Sequence, residues 1–170
     1  MKVEKVMNKL KTDQRGLTLI EIVVTLLLVG ITTALAGLWI VSVANGYLFS
    51  RMNMDTAQKA QLAMTRLAKE FKGITTVTAA SSASISYTRP DITSGTVNAT
   101  VAFNGSNLQI NGNTLADNVS EFTLAYCSHV TSSCAATWSP EARIIEITLK
   151  LKGADNAVST FTQRVVPRNL

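Results

Sequence analysis

From Leu17 to Ala44 the chain runs for 28 residues with a single charge, Glu21, and no other feature limits its fold as much. An α-helix over that length is about 42 Å long at 1.5 Å per residue, against the ~30 Å of hydrocarbon in a bilayer. One crossing is amply supplied, and no second run of this kind exists in the 170 residues. The chain is therefore read first as a single-span membrane protein. Its 46% hydrophobic content would be ordinary in a globular protein and matters here because so much of it is gathered in one place.

The flanks set the orientation. Lys2, Lys5, Lys9, Lys11 and Arg15 stand against Glu4 and Asp13, so residues 1 to 16 carry +3. The short positive side of a span stays cytoplasmic, which puts the rest of the chain outside the cytoplasm. Subtracting that +3 from the chain's +5 leaves only +2 on residues 17 to 170, and charge therefore implies no nucleic-acid surface. A secretory signal would have a shorter apolar core with a small-residue cleavage site beyond it. Here the apolar run is longer and the notable site, Gly16, precedes it. Composition alone fits an uncleaved signal anchor.

The order of residues says more. Gly16, then Leu17-Thr18-Leu19-Ile20-Glu21, then an unbroken apolar run resembles the amino-terminal signature of the type IV pilin superfamily, which includes type IV pilins, minor pilins and the pseudopilins of type II secretion. The resemblance implies that a prepilin peptidase cuts between Gly16 and Leu17 and that the new amine of Leu17 is methylated. It implies that Glu21 meets the terminal amine of a neighbouring subunit during assembly. Two departures stand out: Leu17 occupies a position where the family more often has phenylalanine, and Leu38 one where many major pilins have a kinking proline. Gly30 and Gly37 either loosen the helix instead or allow close packing between helices.

Past the span, Met64, Leu67, Phe71 and Ile74 recur at spacings of three and four from Ala60. Arg51, Asp55, Lys59, Arg66 and Glu70 read as the opposite, solvated face of an amphipathic helix. Leu62 falls among the charges, as a stray exposed leucine or a subunit contact. Gly73 is the expected stop, in the left-handed conformation common past helix ends. The period then changes to two. Val97 to Phe103, Phe122 to Tyr126, Ile145 to Leu151 and Phe161 to Val165 alternate as half-buried strands, with a weaker strand at Ala83 to Thr88. Asn104-Gly105 reads as a tight hairpin turn into Leu108-Gln109-Ile110, Gly153 to Asn156 as another turn, and Thr75 to Ser86 as a loop. The fold class is α+β: a long amino-terminal helix, half membrane-spanning and half amphipathic, packed on a carboxy-terminal antiparallel sheet. The expected organisation is a leader at 1–16 that is removed, a membrane and filament-core helix at 17–45, an amphipathic helix at 46–73 and a sheet domain at 74–170.

Cys127 and Cys134 close a short loop if oxidised, worth about 2 to 3 kcal/mol on the chain-entropy estimate, and a disulfide is expected where the compartment is oxidising. A metal needs more ligands than two cysteines, and the sole histidine, His129, sits inside that loop as a solvated residue. One histidine, no Gly-x-Ser-x-Gly and no phosphate-binding glycine loop leave little with which to build an active site, Asp, Glu and Ser fall at no spacing that makes a constellation, and the expectation is a non-enzyme without a cofactor. The triplets at Asn98, Asn104 and Asn118 match the glycosylation pattern and are read as strand edges and turns. The runs "LADNVSEFTLAY", "RIIEITLKLKG" and "QRVVPRNL" also resemble the carboxy-terminal halves of minor pilins and of the J-type minor pseudopilins.

By that resemblance the expected protein is a minor pilin or minor pseudopilin. Its expected partners are the prepilin peptidase, other pilins or pseudopilins, an inner-membrane assembly platform and the membrane itself. It waits in the inner membrane with a cytoplasmic amino terminus and a periplasmic domain, then joins a pilus or pseudopilus, in priming or at the tip. Two alternatives stay open: an anchored periplasmic binding module that never polymerises, and a DNA-uptake pilin in which Lys150, Lys152, Arg164 and Arg168 cluster.

Overall fold

The structure, a computed structural model, describes residues 18–130 and 133–170. A single helix, α1, runs from Leu19 to Lys72 without interruption through Gly30, Gly37 and Gly46, so the membrane and amphipathic halves are one element. The chain divides into two compact units between Tyr47 and Leu48, inside this helix.

In the first unit every described side chain is exposed, and the apolar residues from Leu19 to Val43 have no partner in the isolated chain. The polar side chains at Thr25, Thr32 and Thr33 are satisfied internally. Their hydroxyls donate to the carbonyls of Ile22, Leu28 or Val29 at 2.7 to 3.1 Å. A helix with its backbone bonded within itself and its hydroxyls turned back onto its own carbonyls is compatible with lipid.

The second unit begins with the rest of α1. Ala60, Ala63, Met64, Leu67 and Phe71 form its buried stripe, at the spacing the sequence predicts, and Ile74, just past its end, is buried with them. Gly73 ends the helix as expected but not in the left-handed conformation. The last turn tightens instead, with the N–H groups of Gly73 and Ile74 donating to the carbonyls of Glu70 and Phe71.

Among the described residues eight strands follow: β1 (Thr76–Ala80), β2 (Ser84–Asp91), β3 (Gly95–Phe103), β4 (Leu108–Ile110), β5 (Asn113–Ala116), β6 (Val119–Cys127), β7 (Ile144–Lys152) and β8 (Val158–Val165). They make two antiparallel sheets, β1-β2-β3-β4-β5 and β6-β7-β8, where the sequence suggested one. Thr75 to Ser86 is not a loop: Thr76–Ala80 is an edge strand, bulged between Val77 and Ala79. Its small residues bury too little apolar surface to leave an alternating signal. The tight two-residue hairpin is Asn111-Gly112, both at positive φ, joining β4 to β5. Asn104-Gly105 belongs to a longer turn in which Asn104 Oδ1 accepts from the N–H groups of Ser106 and Asn107.

One core joins the stripe of α1 to both sheets, through Ile85, Tyr87, Val101 and Leu108 on one side and Phe122, Leu124, Ile147 and Leu149 on the other. The turn between β7 and β8, a short 3-10 segment at Ala154–Asn156, is hooked to α1: the Ala154 N–H donates to Asn53 Oδ1 at 3.1 Å. Gly153 leaves room for that contact, because a Cβ there would collide with the same Asn53 oxygen and force the Asn53 side chain to shift.

Candidate functional site

The amino-terminal end of α1 is built by Thr18-Leu19-Ile20-Glu21. Thr18 is the cap: its Oγ1 accepts from the Glu21 N–H at 3.3 Å, and its carbonyl accepts from the Glu21 and Ile22 N–H groups at 3.0 and 3.2 Å. Thr-x-x-Glu is the capping-box spacing, a signal legible in the sequence and missed there. The cap fixes where the helix begins and so fixes Glu21 in the first turn, the positive end of the helix dipole. Its carboxylate is exposed and has no ion-pair partner among the described residues. From Thr18 to Ser50 no other side chain is charged. Gly16 and Leu17, the expected cleavage and methylation positions, lie outside the described residues.

Cys127 and Cys134 are joined as a disulfide. Cys127 ends β6 and is buried. The loop between the two is also closed by a backbone bridge, in which Tyr126 and Ala135 exchange hydrogen bonds at 2.8 Å. Tyr126 stacks edge-on against Trp138 and donates its hydroxyl to the Ser81 carbonyl at 2.9 Å, and burial raises its pKa. His129 is exposed within the loop.

Two electrostatic readings of the sequence are corrected. Lys150, Lys152, Arg164 and Arg168 do not pool their charge. Lys150 lies 2.7 Å from Glu121 and Arg164 2.6 Å from Glu146, because strand alternation puts those carboxylates on the same outer sheet face. The Lys150 ammonium holds the Glu121 carboxyl below its usual range. Arg168 is elsewhere, its N–H donating to the Lys72 carbonyl.

Glu70 is not on the solvated face of α1. It is 6% exposed, three residues from Leu67 and seven from Ala63, which places it on the buried stripe. Its oxygens meet Arg66 at 2.9 Å, Arg89 of β2 at 3.1 Å and the Tyr87 hydroxyl at 3.3 Å. Arg89 Nε is placed as a charge partner and is not aligned to donate a hydrogen bond. Burial, then the Glu70 charge, raises the Tyr87 pKa.

A polar hollow lies between α1 and the β7–β8 turn, lined by Asp55, Lys59, Asp117, Asn118 and Lys152. Lys59 bridges it, 3.1 Å from Asp117 and 3.9 Å from Asp55, and the Asp117 hydrogen bond raises the Lys59 pKa. Among the described residues no three His, Cys, Asp or Glu side chains are grouped to hold a metal.

A capped apolar helix with one carboxylate in its first turn, continuing into an α+β domain, is long and apolar enough to anchor the chain in a membrane by a single pass. The family model of the prokaryotic N-terminal methylation motif matches residues 11–37, spanning Gly16, Leu17 and Glu21. The motif implies processing by a prepilin peptidase and assembly of the pilin kind, the work of a structural subunit. No curated protein and no solved structure matches this chain.

Proposed function

We propose that the chain is a minor pilin or minor pseudopilin that a prepilin peptidase cuts between Gly16 and Leu17 and that then enters a type IV pilus or type II secretion pseudopilus, in priming or at the tip. In this reading residues 1–16 stay in the cytoplasm and are removed, residues 17–45 wait in the inner membrane, and the domain from residue 46 faces the periplasm. An assembly platform draws the processed subunit into a helical array, which a repeated, non-closing subunit contact generates.

Glu21 carries the reading. Cutting after Gly16 creates a cationic amine at Leu17, next to the cap and at the positive end of α1, where the helix dipole disfavours it. Burying that amine among apolar helices without a counter-ion is costly. Four residues of rise place Glu21 about 6 Å along the axis from its own terminus, a loose fit. A neighbour displaced along the filament axis brings its amine to this carboxylate directly, neutralising both groups and selecting the axial register. The resemblance of the second half to minor subunits supports placement in priming or at the tip. The ion pairs of Lys150 and Arg164 speak against the DNA-uptake alternative.

The test is Glu21→Ala at matched expression. Membrane insertion and cleavage, read by intact mass with Leu17 as the new terminus, stay near wild type, while recovery in sheared filaments falls. Wild-type incorporation by the alanine variant sinks the pairing mechanism.

A further inference from the structure

Within the first unit the polar side chains of α1 fall into two zones. As far as Thr33 every hydroxyl of the helix is bonded back onto it, at Thr25, Thr32 and Thr33. From Ser42 this changes. The Ser42 hydroxyl and the Asn45 amide have no hydrogen-bond partner among the described residues. An amide with two N–H donors and a carbonyl is not satisfied by one bond to the preceding turn, so Asn45 needs polar surroundings.

Trp39 stands between the two zones. Its ring is 76% exposed, and its indole N–H has no acceptor among the described residues. It shares an apolar face with Ile40, Val43, Ala44 and Tyr47, and that face continues the preceding apolar run without a break. Aromatic rings with a polar atom collect at the edges of a bilayer, so Trp39 and Tyr47 offer two places for the outer edge of the hydrocarbon. The rise from Glu21 is about 27 Å to Trp39 and about 39 Å to Tyr47, against ~30 Å of hydrocarbon. A crossing that ended at Tyr47 would sink Ser42 and Asn45 among lipid tails with their polar groups unmet. It would also need a tilt of about 40°, the limit for such helices. A crossing that ends at Trp39 fits nearly upright, with Glu21 at the opposite edge.

We propose that the outer edge of the hydrocarbon lies at Trp39, whose ring packs on acyl chains while its N–H donates to the ester or phosphate oxygens of phospholipid headgroups. Ser42 and Asn45 stand among the headgroups and at their outer rim. Tyr47, about 12 Å beyond Trp39, clears the roughly 5 to 8 Å of one headgroup layer and lies in water. The crossing is thus shorter than the 17–45 that composition suggests. The inference rests on the single-pass reading and on neither processing nor assembly.

The chain has two tryptophans, Trp39 and Trp138, so Trp138→Phe leaves Trp39 as the only reporter. The full-length variant, made without a prepilin peptidase, is reconstituted in phosphatidylcholine vesicles whose acyl chains carry bromine either beside the headgroup or near the chain end. Vesicle flotation reads anchoring separately from depth. Headgroup-proximal bromine should quench Trp39 about two-fold or more above chain-end bromine, with little quenching by aqueous iodide. Moving the reporter, by adding Trp39→Phe and Tyr47→Trp, should reverse the pattern, with iodide quenching and neither bromolipid doing so. Three results overturn the proposal while the chain still floats: stronger quenching of Trp39 by chain-end bromine, bromolipid quenching of the Tyr47→Trp reporter, or a Trp39 shielded from bromine and iodide alike, as contact with another protein chain would leave it. A chain that does not float defeats the single-pass reading itself, and the proposal with it.

Discussion

Replacing Glu70 by alanine should destabilise the domain out of proportion to the size of the change. The carboxylate is 6% exposed and answers three groups, Arg66, Arg89 and Tyr87. Removing one partner of a buried ion pair costs about 3 to 5 kcal/mol where the survivor is fully buried. Here Arg89 is 33% and Arg66 51% exposed, so water screens what remains and most of the Arg66 contribution falls within the ~0 to 1 kcal/mol of surface pairs. The orphaned Tyr87 hydroxyl, in a fully buried side chain, adds about 1 kcal/mol. Together these give about 2 to 4 kcal/mol, a fall of roughly 10 °C in Tm for a domain of this size. Near-UV circular dichroism melting of the full chain in nonionic detergent reads it through Tyr87 and Tyr126. The argument also specifies a rescue: Glu70→Leu with Arg89→Met replaces both charges by apolar groups and should regain at least half of the loss. A cost of Glu70→Ala below about 0.5 kcal/mol, or a double variant no better than the single one, refutes the reasoning.

Other perturbations test separate parts of the fold. Gly153→Ala drives a methyl into the Asn53 oxygen that holds Ala154 and should cost about 1 to 3 kcal/mol, with Asn53→Ala relieving most of the clash when combined; an unchanged Tm for Gly153→Ala defeats this. Tyr87 and Tyr126 both have pKa values raised above 10.0, chiefly by burial, so the native state holds protons that the unfolded chain releases. Stability is then unaffected by these groups below pH 10 and falls above it, approaching about 2.7 kcal/mol per pH unit for two groups; absorbance at alkaline pH should show both tyrosines ionising only as the domain unfolds. Replacing Cys127 and Cys134 by alanine should cost about 2 to 3 kcal/mol in urea unfolding, and retention of the wild-type midpoint argues that the Tyr126–Ala135 bridge alone closes the loop.

What was legible in the sequence is what periodicity encodes. Ile145 to Leu151 alternates because β7 is the middle strand of its sheet, with one face wholly on the core, and the stripe from Ala60 to Ile74 repeats because α1 lies on both sheets. β1 was not legible, since Thr-Val-Thr-Ala-Ala at an edge buries little. Glu70 misled because a carboxylate is ordinarily solvated, and only tertiary structure brings Arg89 from β2 to meet it. Asn111-Gly112 and Thr18-x-x-Glu21 were readable signals that longer-range patterns obscured. Of the candidate site, the position of Glu21 followed from the motif and its cap from local chemistry, whereas no described side chain supplies its counter-charge.

The threonines of the first unit bear on what such a helix can do. Thr25, Thr32 and Thr33 ask nothing of their surroundings, because each hydroxyl already has an acceptor one turn back on the same chain. Neither lipid tails nor the side chains of neighbouring helices need supply a hydrogen bond, and neither forfeits one when exchanged for the other. The three hydroxyls are thus polar-neutral in lipid and in protein alike, and in the proposed assembly their transfer from one to the other costs no hydrogen bond.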